Sequence, residues 1–333
     1  MAEPTTTVQG PRTRLIATLA LLSVCIFWGA TFLWMKEGTD ALQAIYGAER
    51  PAAVGAFFLL WRFLVAALLM PIVVPRSVKR LDRAALKWGF LLSLPFTLGF
   101  LLQIFGLAQS DVLPSQSAFL TSLYVVATPL IAAIVFRRVP PRGVMIGVVL
   151  ATLGAAYIKG PPQGGLSLGA WATIGCAVVF GVHILMTDTG TKRADPMAVT
   201  LVMFVFATLF TAVAVVLAPG GIALFEPVPL AAALSSVEFW RTMLLCATLA
   251  TVVAVSVLNR WQKELLPSRA AIVYTAEPVF ASVISIIAGR DRLDGWLVFG
   301  AVMILLANVS AEFLRKRSRL PVNTQTPAQG GGL

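Results

Sequence analysis

Ten apolar runs of about 17 to 22 residues, set apart by short charged or Pro/Gly-containing breaks, follow one another along this chain from Leu15 to Leu314. A helix rises 1.5 Å per residue, so about 20 apolar residues cross a hydrocarbon layer about 30 Å thick with every backbone hydrogen bond closed inside the segment. The spans fall at roughly 15–35, 54–75, 88–109, 116–136, 143–159, 168–187, 197–218, 240–259, 269–289 and 295–314. Hydrophobic residues make up 58% of the 333 and charged residues only 12%, which excludes a water-soluble monomer. The fold class read from this pattern is all-α, a polytopic membrane protein of ten transmembrane helices.

The formal charge of +11 takes its meaning from where the basic residues lie. Nineteen of the 26 Lys and Arg, from Arg12 and Arg14 to Arg317 and Arg319, fall in one set of alternate loops, six fall in the other set, and Arg62 lies inside a span. Short basic loops stay cytoplasmic, so both termini are expected inside a cell (inner) membrane, and no nucleic-acid partner is expected. The first apolar run is longer than a signal-peptide core and nine more follow it, so it reads as a retained span. Cys25, Cys176 and Cys246 sit singly in different spans, without the spacing of a metal or redox site.

The second half of the chain repeats the first. Phe27-Trp28-Gly29 answers to Val179-Phe180-Gly181 at an offset of 152 residues. Leu113-Pro114-Ser115 answers to Leu266-Pro267-Ser268, and Gly147-Val148-Val149-Leu150 to Gly300-Ala301-Val302-Met303, both at 153. Pro129 and Pro278 correspond at 149, across a small gap. The organisation expected is a tail over 1–14, repeats over 15–159 and 165–314, and a basic, then disordered tail over 315–333. Five helices per repeat is an odd number, so the second copy must thread the membrane in the opposite sense. Such an inverted repeat lets two halves exchange inward-open and outward-open shapes around a central site.

These residues carry a resemblance. The Phe-Trp-Gly of span 1, Trp61-Arg62-Phe63, Gln103 with Gly106-Leu107, the run from Ala118 to Leu130, and Pro267-Ser268-Arg269-Ala270-Ala271 followed by Glu277-Pro278-Val279-Phe280-Ala281 resemble the EamA-type permeases of the drug/metabolite transporter superfamily. The likeness covers nearly all of 15–314. It implies two inverted five-helix repeats, cytoplasmic termini and a central cavity for a small organic solute. Gly289-Arg290-Asp291-Arg292-Leu293 is a looser version of that family's Gly-Glu-Arg-Leu turn.

An ionisable group inside hydrocarbon costs at least a few kcal/mol, so each one is a functional candidate. Arg62 has three readings open: it binds an anionic substrate group, pairs with a carboxylate, or bonds helix carbonyls to fix packing. Glu277 holds a cationic substrate, exchanges a coupling proton, or caps backbone groups freed at Pro278. Pro95, Pro129 and Pro278 each remove a helix hydrogen bond and are hinge candidates. Trp28, Gln103, Tyr124, Thr128, His183, Asn259 and Tyr274 complete the substrate-binding candidates, on spans that the resemblance implies line the cavity; interhelical bonding is the alternative for each. Gly143, Gly147, Ala151 and Ala155 form a small-residue face for close packing, within the bundle or between two protomers.

No phosphate-binding Gly-rich loop is present, and Gly165-Leu166-Ser167-Leu168-Gly169 lies between two spans without the acid that a hydrolase order requires. No enzyme activity, metal or cofactor is expected. The function expected is secondary transport of a small metabolite or drug, outward, by alternating access. The alternative is a membrane-embedded enzyme or scaffold that binds a lipid-linked small molecule.

Overall fold

The computed structural model describes residues 11–137, 139–140, 142–158, 166–190, 192–261, 264 and 273–313. Their order is α1 Pro11–Tyr46, α2 Pro51–Val73, α3 Arg76–Lys79, α4 Arg83–Ala108, α5 Pro114–Ser122, α6 Tyr124–Val135, α7 Arg142–Tyr157, α8 Leu168–Gly190 and α9 Pro196–Leu217. A 3-10 turn at Ile222–Phe225 leads to α10 Pro227–Ser235 and α11 Val237–Leu245. A π-helical segment, Cys246–Val253, then joins α11 to α12 Ala254–Trp261, and α13 Glu277–Ile287 and α14 Gly295–Phe313 follow. Among the described residues there is no extended strand.

Seven helices among the described residues are long and apolar enough to cross a membrane, counting α5 with α6 and α11 with its continuation. Three shorter apolar helices, Arg142–Tyr157, Glu277–Ile287 and Gly295–Ser310, accompany them. Local sequence explains several starts. Pro114 and Pro196 stand in the first turn of α5 and α9, where their missing N–H is no loss. Asp82 and Asp195 precede α4 and α9 and accept the orphan N–H groups of Ala85 at 2.6 Å and Met197 at 3.0 Å.

Two expected boundaries need correction. α1 runs to Tyr46, eleven residues beyond the expected end at 35, although Lys36, Glu37 and Asp40 lie in that extension. These charges are held by partners: Lys36 pairs with Asp40 at 3.3 Å, Asp40 with Arg290 at 3.3 Å and Glu37 with Arg241 at 2.8 Å. The ninth span, expected to be one helix through Pro278, stops at Tyr274 and restarts at Glu277. A proline that cannot donate to the preceding turn begins a helix more easily than it continues one.

The helices pack with their ends in alternating directions. The C-terminal end of α4 meets the start of α8, where the Thr173 hydroxyl donates to Gly169 O at 2.9 Å and both lie against Gly106. The end of α7 meets the start of α14 through the stacked rings of Tyr157 and Trp296, 5.9 Å apart. At the opposite rim Ser310 donates to Gly143 O at 3.2 Å, closing the other end of that helix pair, and Arg76 pairs with Asp195 at 3.1 Å. The small residues Gly143, Gly147, Ala151 and Ala155 are buried, and α7 packs its length on α14. Among the described residues the largest fully buried side chains are Phe57, Phe58, Phe63 and Phe239, in a core shared by helices from both halves of the chain, and Phe204, in a second core of α2, α4 and α9. The tails 1–10 and 314–333, including the basic Arg315 to Arg319 stretch, lie outside the described residues.

Candidate functional site

Three groups of polar side chains lie within the bundle. The first gathers where α1, α5 and α13 pack together, beside Tyr124 at the start of α6. A Cβ on Gly29 would stand 2.8 Å from the Ala281 nitrogen and 3.0 Å from the Glu277 carbonyl oxygen, so α1 runs directly against the backbone of the first turn of α13. Glu277 thus sits at the N-terminus of a half-helix, whose partial positive charge suits a carboxylate. The Trp28 ring faces that of Tyr274 with centroids 6.2 Å apart. The Tyr274 hydroxyl is buried and meets no hydrogen-bond partner among the described residues. Cys25, one turn earlier on α1, donates its thiol hydrogen to Val273 O at 3.4 Å, and Cys25 and Tyr124 both lie near enough to Glu277 to interact with it electrostatically.

Across the bundle, α8 approaches α6 in the same manner. A Cβ on Gly181 would stand 3.0 Å from Ile131 Cδ1 and 3.2 Å from the Thr128 nitrogen. Thr128 keeps its hydroxyl within its own helix, donating to Tyr124 O at 2.7 Å. The helix around it is irregular: α5 ends at Ser122 and α6 begins at Tyr124, one turn and a half before Pro129. Pro95, by contrast, lies inside an uninterrupted α4.

The second group surrounds Arg62, which is 2% exposed. Its Nε donates to Thr251 Oγ1 at 3.2 Å and its Nη1 to Met35 Sδ at 3.1 Å, while the guanidinium carbon lies 4.7 Å from the Phe100 ring centroid. Among the described residues no carboxylate forms an ion pair with it. Among the described residues Arg62 is held by a hydroxyl, a thioether and an aromatic face rather than by a carboxylate or helix carbonyls. The Thr251 hydroxyl itself donates to Cys246 O at 2.8 Å, and Trp28 Nε1 donates to Ala250 O at 3.0 Å, so both side chains grip the π-helical segment.

Gln103 and His183 form the third group. Gln103 donates to Thr121 Oγ1 at 3.3 Å and ties α4 to α5. The His183 ring lies 5.5 Å from that of Phe96, its Nε2 3.4 Å from Thr187 Oγ1, with Nδ1 buried and unpartnered among the described residues. Asn259 falls on α12, and its side chain lies outside the described residues. Ser167 accepts the Ala170 N–H at 3.2 Å and so serves as the cap of α8. Among the described residues no three His, Cys, Asp or Glu converge as a metal site.

Some residues that matter to this geometry carry no separate signal in the sequence. Met35, Phe100 and Thr251 are ordinary occupants of apolar helices until Arg62 is set between them. Asp291 is 5% exposed and its Oδ2 accepts the Ser115 N–H at 3.1 Å, capping α5 from the turn that precedes α14. The Gly-Arg-Asp-Arg-Leu turn was the available hint.

Comparison with known proteins agrees with this architecture. A model described as the EamA-like transporter family matches residues 15–159 and again 167–310. An uncharacterized transporter of Archaeoglobus fulgidus is 30% identical over 298 residues, covering 88% of this chain and 85% of its own. A protein of known crystal structure superposes with a TM-score of 0.57 at 16% identity, covering 92% of this chain and 99% of that one, which speaks for the fold alone. The chain belongs to the EamA-like transporter family, and it is a multi-pass membrane protein.

Proposed function

We propose that this EamA-like transporter moves a small organic solute outward across the cell (inner) membrane by alternating access, in a ten-helix frame of two inverted five-helix repeats, 15–159 and 165–314, with cytoplasmic termini. The observation that carries the reading is a pair of matched contacts. Gly29 approaches the backbone at Glu277, and Gly181 approaches the backbone at Thr128. Gly181 follows Gly29 by 152 positions and Glu277 follows Thr128 by 149, the offsets of the sequence repeat. Each half thus lends its first helix to the fourth helix of the other in the same way, as expected of two halves that trade places around one site.

The solute site is proposed where α1, α5 and α13 meet beside the start of α6, between Glu277, Tyr274, Tyr124, Thr128 and the Trp28 ring, with Gln103 and His183 on α4 and α8. A buried carboxylate beside an indole and two phenols favours a cationic or amphipathic solute through charge and cation–π attraction, and the same carboxylate is the group proposed to exchange a coupling proton. Pro278 lies at the helix break before α13, and Pro129 lies inside α6 a turn and a half beyond the break at Leu123, and these would let the junction open; Pro95 marks a third bending point.

A thermal-shift screen of the detergent-solubilised protein against cationic and amphipathic metabolites, followed by counterflow of each hit in proteoliposomes, tests the proposal. Hits that stabilise the wild type and are carried, but stabilise Glu277→Gln less and exchange through it more slowly, are the expected result. Hits carried equally well by Glu277→Gln would move the site elsewhere.

A further inference from the structure

The eighth span contains the only π-helical segment among the described residues, Cys246–Val253, and two side chains from distant helices are bonded to it. Within it the Ala254 N–H reaches Leu249 O, five residues back, and the Thr251 hydroxyl reaches Cys246 O, also five back. A π segment carries one residue more than the α-helix it interrupts, is intrinsically less favourable, and persists where its surroundings compensate. Here the compensation is visible. Trp28 Nε1 donates to Ala250 O from α1, and Arg62 Nε donates to Thr251 Oγ1 from α2, leaving that hydroxyl oriented toward Cys246 O.

The segment's place in the repeat is informative. Shifted back by the repeat offset of 152, Cys246–Val253 falls on 94–101 of α4, the stretch that contains Pro95. Phe180, the counterpart of Trp28 at that offset, lies against the same stretch, its ring 5.3 Å from that of Phe100. The two repeats therefore weaken the same helix at the same level by different means, a missing N–H in one and an extra residue in the other.

We propose that Cys246–Val253 is a register hinge, relaxing toward α-helical winding when the bundle changes shape, and that Trp28 and Arg62 are positioning residues that hold it in the π register. The proposal rests on the alternating-access reading given above. Loss of one residue's worth of winding rotates everything beyond it by about 100°, which would turn α12 relative to α1 and α2. It gives the buried cation a role that needs no counter-ion: Arg62 bonds the one hydroxyl able to close the five-residue turn. It also assigns Trp28 to the wall of the solute site through its ring and to the hinge through its nitrogen.

Cys246 opens the segment and is fully buried, which supplies the test. N-ethylmaleimide labelling of the purified, substrate-free full-length protein is followed by peptide mass spectrometry, with buried Cys25 and Cys176 as internal references. Thr251→Val removes the bridging hydroxyl at nearly constant volume and is expected to raise Cys246 labelling several-fold while Cys176 keeps its rate. Arg62→Lys, which retains the charge but loses the Nε geometry, is expected to act in the same direction, and Thr251→Ser to restore the wild-type rate. Unchanged Cys246 labelling in Thr251→Val, a parallel rise at all three thiols, or failure of Thr251→Ser to restore the rate would overturn the hinge. Labelling needs no solute, so a protein that carries nothing in counterflow, which defeats the transport reading, still passes or fails this test on its own.

Discussion

The Asp291 carboxylate reaches from the α13–α14 turn to the backbone N–H of Ser115, 3.1 Å away and 176 positions earlier in the chain. It satisfies one of the orphan donors of α5 and clips the start of α5 to the turn joining α13 and α14. Asp291→Ala is expected to cost about 1–2 kcal/mol, and Asp291→Asn less, because the amide oxygen can still accept. Thermal unfolding in detergent measures both; equal melting of wild type and Asp291→Ala would remove the cap from the account.

Gly29 and Gly181 stand at related contacts with different tolerances. A methyl group at Gly29 meets backbone atoms at 2.8 and 3.0 Å, which cannot move independently, whereas at Gly181 the nearest atom is the end of the Ile131 side chain at 3.0 Å. Gly29→Ala is therefore expected to destabilise by about 1–3 kcal/mol and Gly181→Ala by less. Reversal of that order in thermal unfolding would mean that α1 is free to shift against α13.

Glu277→Gln keeps shape and removes the charge. If the carboxylate exchanges the coupling proton, counterflow and gradient-driven flux part company in this variant: exchange of solute persists to some extent, while dependence of net flux on an imposed pH gradient disappears. Retention of that dependence in proteoliposomes excludes Glu277 as the proton carrier.

The ion pairs at the C-terminal end of α1 are partly exposed, so each is expected to contribute little to stability. Arg290→Ala, which leaves Asp40 with Lys36 alone, should shift unfolding by less than about 1 kcal/mol, and the shift should shrink further in high salt. Arg241→Ala releases both Glu37 and Glu238 and should act more strongly. Melting curves at low and high salt check both statements.

The seven membrane-length helices were legible because a bilayer demands about 20 apolar residues at a time and the chain supplies them in punctuated runs, whereas Arg142–Tyr157, Glu277–Ile287 and Gly295–Ser310 are shorter among the described residues. The overrun of α1 to Tyr46 was not, because Lys36, Glu37 and Asp40 look like a loop until Arg241 and Arg290, more than 200 positions away, are brought to them. Pro278 marked a point where the helix could kink or unwind, but the sequence did not say which, and the helix restarts at Glu277 where Gly29 packs against it. Arg62 was recognisable as buried, but its partners were not, as Thr251 and Met35 differ in no visible way from their apolar neighbours. The π segment is equally silent: Cys-Ala-Thr-Leu-Ala-Thr-Val-Val would suit an α-helix, and only bonds from Trp28 and Arg62 distinguish it.

Lys36, Glu37 and Asp40 fall within five consecutive positions of one rigid arm, yet their contacts lie on Gln109, Arg241 and Arg290 in three other parts of the bundle. Tilting that arm would undo all of them at once, so this rim behaves as a single clasp. Its release would be all-or-none and faster in brine than in dilute medium, even though no individual link in it is strong.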